Sequence, residues 1–141
     1  MSNQTLLEEV NTPNHYRGHE SGIETISITR YLPNDLGNAW KYGMRYEDKN
    51  TPKKDLLKLC WYMNDYRTHF IDDNNEVTEN FHVPSKVLTL MECVIEAEPN
   101  EVIKDFFKQV YQLCMEQGVL NPCKFNQCLK GVELLAENFS V

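Results

Sequence analysis

Proline placement constrains this chain more than any other feature. Five of its six prolines (Pro33, Pro52, Pro84, Pro99 and Pro122) stand just ahead of stretches whose apolar residues recur at helical spacing. Proline fits the first turn of a helix, where its missing N–H would be unpaired anyway, and breaks a helix elsewhere. Each of the five therefore reads as a start. The first helix, capped by Asn34 or Asp35, runs to about Asp48 on a stripe of Leu36, Ala39, Trp40, Gly43 and Met44. The second, capped by Thr51, runs from Lys53 to about Phe70 on Leu56, Leu59, Cys60, Met63 and Tyr66. The third carries Val87, Leu88, Met91 and Ile95. The fourth carries Val102, Ile103, Phe106, Val110, Leu113 and Cys114, with Gly118 as its stop. Asn121 caps the last, with Phe125, Cys128, Leu129, Val132 and Leu135, although Gly131 weakens it.

Between these lie two polar stretches. Residues 1–22 show little periodicity and read as an arm or loop, and Ile71–Val83, with Asp72-Asp73-Asn74-Asn75, reads as a surface loop. Ile23–Leu32 has helical spacing but many β-branched residues; helix is favoured, and a strand there makes a small α+β fold the alternative. The expectation is an all-α bundle of five or six helices forming a single domain over residues 1–141.

Charge narrows the partners. The chain carries net charge −7, and a protein this acidic repels a nucleic-acid backbone at long range, so nucleic acid is an unlikely partner. The segment Gly37–Lys58 is nonetheless +3, leaving −10 on the remainder. A basic patch on an acidic body suits a small anionic ligand. No apolar run approaches the ~20 residues that span a membrane. The five cysteines form no C-x-x-C pair; Cys60 and Cys114 sit among apolar residues and read as core, and reduced thiols in a cytosol are the expectation.

The basic segment has internal order. Asn38, Lys41, Tyr42, Arg45 and Lys49 recur at spacings of three and four and share one side of a helix. Asp55, Lys58, Tyr62 and Asp65 do the same on the next, and a short turn makes the two helices antiparallel neighbours. Cations clamp phosphate oxygens, an amide reads a base or sugar, and a carboxylate such as Asp55 or Asp65 holds magnesium or orients a hydroxyl. The alternative is a solvated face of ordinary inter-helix salt bridges. Trp40 and Trp61 are expected in the core, and Tyr62 is the better stacking residue. His15 and His19 stand four apart, but a zinc site needs two further ligands, so no zinc is expected. Neither a Walker loop nor a G-x-G-x-x-G turn is present.

The ordered set Asn14-His15-Tyr16, Gly22-Ile23-Glu24-x-Ile26, Gly37-Asn38-Ala39-x-Lys41-Tyr42-x-x-Arg45-Tyr46-x-x-Lys49 and Asp55-Leu56-x-Lys58-x-x-x-Tyr62 resembles a family of small bacteriophage proteins. Most members of that family have no assigned role, and one branch is described as a nucleotide kinase that phosphorylates deoxynucleoside monophosphates without a Walker loop. The resemblance spans roughly residues 13–66. It implies that His15, Tyr16, Glu24, Asn38, Lys41, Arg45, Lys49, Asp55 and Lys58 line a nucleotide site. The pattern departs at Ser27, where the family often has an acid, and at Leu59, where a small residue is usual. Glu92, Glu96, Glu98, Glu101 and Asp105 also resemble the magnesium cages of helical nucleotide pyrophosphatases, but only Glu98-x-x-Glu101 fits, and it straddles Pro99.

Two functions follow as expectations. One is a deoxynucleoside monophosphate kinase using ATP and Mg2+. Here Lys41, Arg45 and Lys49 hold phosphates, Asp55 binds the metal or orients the acceptor, and Tyr42 and Tyr62 join the nucleotide-binding set. So short a chain must hold two nucleotides, which predicts a homo-oligomer with the helical extension 84–141 as its assembly surface. The other is a non-catalytic module that sequesters a nucleotide, such as a cyclic signalling nucleotide of host defence, or binds a host protein.

Overall fold

A computed structural model describes residues 18–48, 50–115 and 118–141. Among these residues six helices follow in order: α1 (Ile26–Thr29), α2 (Asn34–Arg45), α3 (Pro52–Phe70), α4 (Ser85–Ala97), α5 (Glu101–Cys114) and α6 (Pro122–Ala136). The described residues contain no sheet, only the isolated antiparallel bridges Ile71–Val77 and Glu76–Val119. The all-α expectation holds, and the Ile23 region forms one helical turn rather than a strand.

Apolar spacing set the buried faces. Leu36, Ala39, Trp40, Gly43 and Met44 of α2 are all buried, as are Leu56, Leu59, Cys60, Met63 and Tyr66 of α3. Fully burying each large apolar side chain contributes about 1.5–3 kcal/mol. The stripes of α4 and α5 turn slightly from expectation. Val94 is buried where Leu88 and Ile95 are only half-buried, and Phe107 is buried where Val102 is half-buried. Trp61 is a clear departure: it is 60% exposed, not core. At about 100° per residue it falls one step past Cys60, off the stripe.

Helix ends also differ from expectation. Pro33, not Asn34 or Asp35, occupies the N-cap of α2, and no side chain caps that end. Thr51 is the N-cap of α3 with Pro52 in the first turn, again without a side-chain hydrogen bond. Helix α5 stops at Cys114, ahead of Gly118. Asn121 does cap α6, accepting from the Lys124 N–H.

The bundle is built around the α2–α3 hairpin. Helix α3 also packs on α6, α2 on α5 and α1, and α5 on α4 and α6. One hydrophobic core runs through all of them. Gly43 lets α2 approach α5 closely, since a Cβ there would lie 2.8 Å from Phe106 and 2.9 Å from Phe107. Trp40 fills the same seam, its ring centroid 4.3 Å from that of Phe107. The 71–84 loop is folded on itself. The Asp72 carboxylate accepts from the N–H groups of Asn74 and Glu76, Asn75 takes a left-handed φ of 62°, and its carbonyl accepts from Leu120 N–H.

Candidate functional site on the α2–α3 hairpin

Contacts across the hairpin fix its register. Asp35 meets Asp65 at one end, and midway Tyr42 stacks on Tyr62 with ring centroids 6.1 Å apart and planes at 20°.

Around that tyrosine pair lies a cationic and aromatic patch. The Lys41 ammonium is 5.0 Å from the Tyr42 ring centroid, and the Lys58 ammonium is 5.6 Å from it. Trp61 packs edge-on against Tyr62, centroids 5.1 Å apart, and leaves most of its indole in solvent. Lys41 also donates to the Asn38 side-chain oxygen at 3.2 Å, while the Asn38 amide donates to the Asn34 carbonyl at 2.9 Å. Asn38 thus orients Lys41, a role the sequence did not indicate.

The expected site residues separate into groups. Asn38, Lys41, Tyr42, Lys58 and Tyr62 come together, with Trp61 added. Arg45 is half-buried at the end of α2, and Glu24 is exposed ahead of α1. His15, Tyr16 and Lys49 lie outside the described residues. Asp55 departs from the exposed stripe assigned to it: it is only 3% exposed. It flanks the buried Leu56 and Leu59 in the first turn of α3, and its Oδ2 has no hydrogen-bond partner among the described residues. Nor do any three His, Cys, Asp or Glu side chains gather as a metal cage among those residues.

Two polar clusters went unseen in the sequence because their members are far apart in the chain. The first joins Asp35 of α2, Asp65 and Tyr66 of α3, and Glu79 of the loop. Burial, then the hydrogen bond and negative charge of Asp65, push the Asp35 carboxyl up to about 6. Burial and the nearby Glu79 carboxylate also raise the Tyr66 phenol. In the second, His19 Nε2 lies 3.5 Å from Glu98 Oε1, both side chains buried. The His19 Nδ1 accepts from the Ser21 N–H at 3.0 Å, so the neutral ring carries its proton on Nε2, facing the carboxylate. This pair ties the segment ahead of α1 to the α4–α5 junction. Of the acids that resemble a magnesium cage, Glu98 is therefore buried on a histidine, while Glu92, Glu96, Glu101 and Asp105 are exposed.

The cysteines behave as packing residues. Burial pushes the thiols of Cys60, Cys114 and Cys128 up to about 12, which keeps them protonated and unreactive. All five are free, with Cys93 and Cys123 on the surface.

Among the described residues no helix is long and apolar enough to cross a membrane. An all-α bundle with a cation-flanked aromatic face on one hairpin is what fold and geometry define. Residues 10–64 match the model of the family DUF3310, described as protein of unknown function. That stretch takes in α1, α2 and the part of α3 carrying Lys58, Trp61 and Tyr62; helices α4 to α6 lie beyond it. No curated protein and no solved structure matches the chain.

Proposed function

We propose that the protein binds a nucleotide on the α2–α3 face. The base stacks on Trp61 and Tyr62, and the phosphates lie toward Lys41, Lys58 and Arg45. The observation that carries this reading is the Tyr42–Tyr62 stack, flanked by two ammonium groups and ending in the exposed indole of Trp61. A stacked base gains about 1–3 kcal/mol on an aromatic platform, and any base has a face to stack. Ammonium groups add phosphate affinity as point charges.

Phosphoryl transfer is the second, finer reading: a phage deoxynucleoside monophosphate kinase. The observation favouring it is the buried Asp55 carboxylate, one oxygen of which has no hydrogen-bond partner among the described residues. In this reaction the γ-phosphorus of ATP loses its bond to the bridging oxygen of ADP and gains one to a phosphate oxygen of the monophosphate. Mg2+ commonly binds through one or two carboxylates together with substrate phosphates, so Asp55 fits such an ion without a full protein cage. The ion would neutralise phosphate charge, Lys41 and Lys58 would hold the acceptor, and Arg45 would meet the transferred group. Two nucleotides exceed what one small patch covers, so this reading carries a homo-oligomer with it. The host cytosol, where nucleotides and reduced thiols coexist, is the compartment it suits.

A thermal-shift screen against nucleoside mono-, di- and triphosphates and cyclic dinucleotides, with and without Mg2+, tests both readings, since a ligand of the native state raises Tm by mass action. Binding predicts a rise that shrinks in Lys58→Ala and Tyr62→Ala. Transfer predicts, in addition, turnover that needs Mg2+ and disappears in Asp55→Asn. No shift with any nucleotide contradicts both, and a metal-independent shift without turnover leaves sequestration.

A further inference from the structure

Side-chain hydrogen bonds along the first two turns of α2 form a relay that leads from the cationic patch to a buried acid. The Lys41 ammonium donates to Asn38 Oδ1 at 3.2 Å. The Asn38 amide donates to Asn34 Oδ1 at 3.3 Å, and to the Asn34 carbonyl at 2.9 Å. The Asn34 amide donates in turn to Asp35 Oδ1 at 3.5 Å. Asp35 is the fixed end: it is only 6% exposed, and its carboxylate meets that of Asp65 on α3. Residues 34, 38 and 41 stand about one helical turn apart, so the relay follows a single face of the helix.

The relay has one sense. An ammonium has donors and no acceptor, an ionised carboxylate has acceptors and no donor, and an asparagine amide has both. With Lys41 at one end and Asp35 at the other, both amides turn their oxygen toward the lysine and their NH2 toward the acid. Hydrogen bonds aligned in this way polarise one another. A lysine side chain has much rotamer entropy to lose when a ligand immobilises it, and one already held in place loses less.

We propose that Asn34 and Asp35 are positioning residues of the nucleotide face: through Asn38 they place the Lys41 ammonium for the phosphates of the bound nucleotide, a role that rests on the nucleotide reading of that face. Neither residue needs to touch the ligand. Asn34 is exposed, so the relay can be cut there without disturbing the core.

Two measurements test this, one with ligand and one without. With ADP and adenosine as probes, Asn34→Ala should weaken ADP about threefold, the loss of one modest hydrogen bond, and leave adenosine unchanged, because stacking on Trp61 and Tyr62 remains. In a Lys41→Ala background the same change should cost nothing further, since the relay then ends on no cation. In the ligand-free protein, Asp35→Asn should move the side-chain amide resonance of Asn38 and leave that of Asn126, which pairs with Arg67, in place. With Asn34→Ala also present, the Asn38 resonance should no longer respond to Asp35→Asn. Equal losses of ADP and adenosine, additive losses in the Asn34→Ala, Lys41→Ala double variant, or an Asn38 response that survives the cut at Asn34 would each overturn the proposal while leaving nucleotide binding intact. Failure of the wild-type protein to bind ADP would instead contradict the nucleotide reading, and the positioning role would fall with it.

Discussion

The rings of Tyr42 and Tyr62 lie 20° from parallel across the α2–α3 hairpin, with the ammonium groups of Lys41 and Lys58 both within 5.6 Å of the Tyr42 centroid. A helix pair held by salt bridges alone has no need of such a stack. Removing the platform should weaken nucleotide binding without unfolding the chain, because Tyr62 is only half-buried. Tyr62→Ala is expected to raise Kd by about tenfold or more, within the range of one lost stacking contact. Calorimetry checks the affinity, and an unchanged helical dichroism spectrum checks the fold.

Glycine at position 43 is required by packing rather than by backbone conformation. Gly43→Ala drives a methyl to within 2.9 Å of both Phe106 and Phe107, so it should destabilise by about 1–3 kcal/mol, as overpacking does. Gly131→Ala is the opposite case. Its Cβ would meet Val102 at 3.4 Å, an ordinary contact, and alanine is the better helix former by about 1 kcal/mol. Thermal melts of the two variants should therefore move in opposite directions.

The caps can be ranked. Asn100 accepts from the N–H groups of both Val102 and Ile103, at 2.9 and 3.1 Å, whereas Thr51 makes no side-chain cap bond. Asn100→Ala should cost about 1 kcal/mol and Thr51→Ala much less. Denaturant unfolding of the two variants measures the difference.

Asp35 makes stability depend on pH. Its carboxyl is raised from 3.8 to about 6 in the folded chain, so between those values the native state holds more protons than the unfolded one. Stability from this group is full below about 4 and is lost as pH rises toward and past 6. Asp35→Asn should thus raise Tm by several degrees at neutral pH and by little near pH 4. Melts recorded across that range check it; an equal change at every pH would show that the buried carboxyl is not the cause.

Much of this was legible in the sequence, for physical reasons that also mark where legibility ended. The prolines and the three-and-four spacing located the five long helices, because both report on local backbone geometry. The same spacing gathered Asn38, Lys41, Tyr42, Lys58 and Tyr62, since a helix face is a local property. Trp61 was misplaced because its large apolar side chain weighed more than its angle on α3. Asp55 looked exposed beside Lys58, yet one helical step puts it on the flank of Leu56 and inside. The Asp35–Asp65–Glu79 cluster and the His19–Glu98 pair join residues brought together only by tertiary packing, and no local pattern announces them.

The most direct test of the nucleotide-binding account is the fluorescence of Trp61 during nucleotide titration. Trp40 is fully buried, with its indole N–H donating to Met44 Sδ at 3.0 Å, so a contact quencher such as iodide reaches Trp61 and not Trp40. Nucleotide should quench the emission and shield it from iodide, at concentrations about tenfold higher in Lys58→Ala. Emission and iodide access that stay constant up to saturating nucleotide would contradict the account, and any binding seen by other means would then lie elsewhere on the protein.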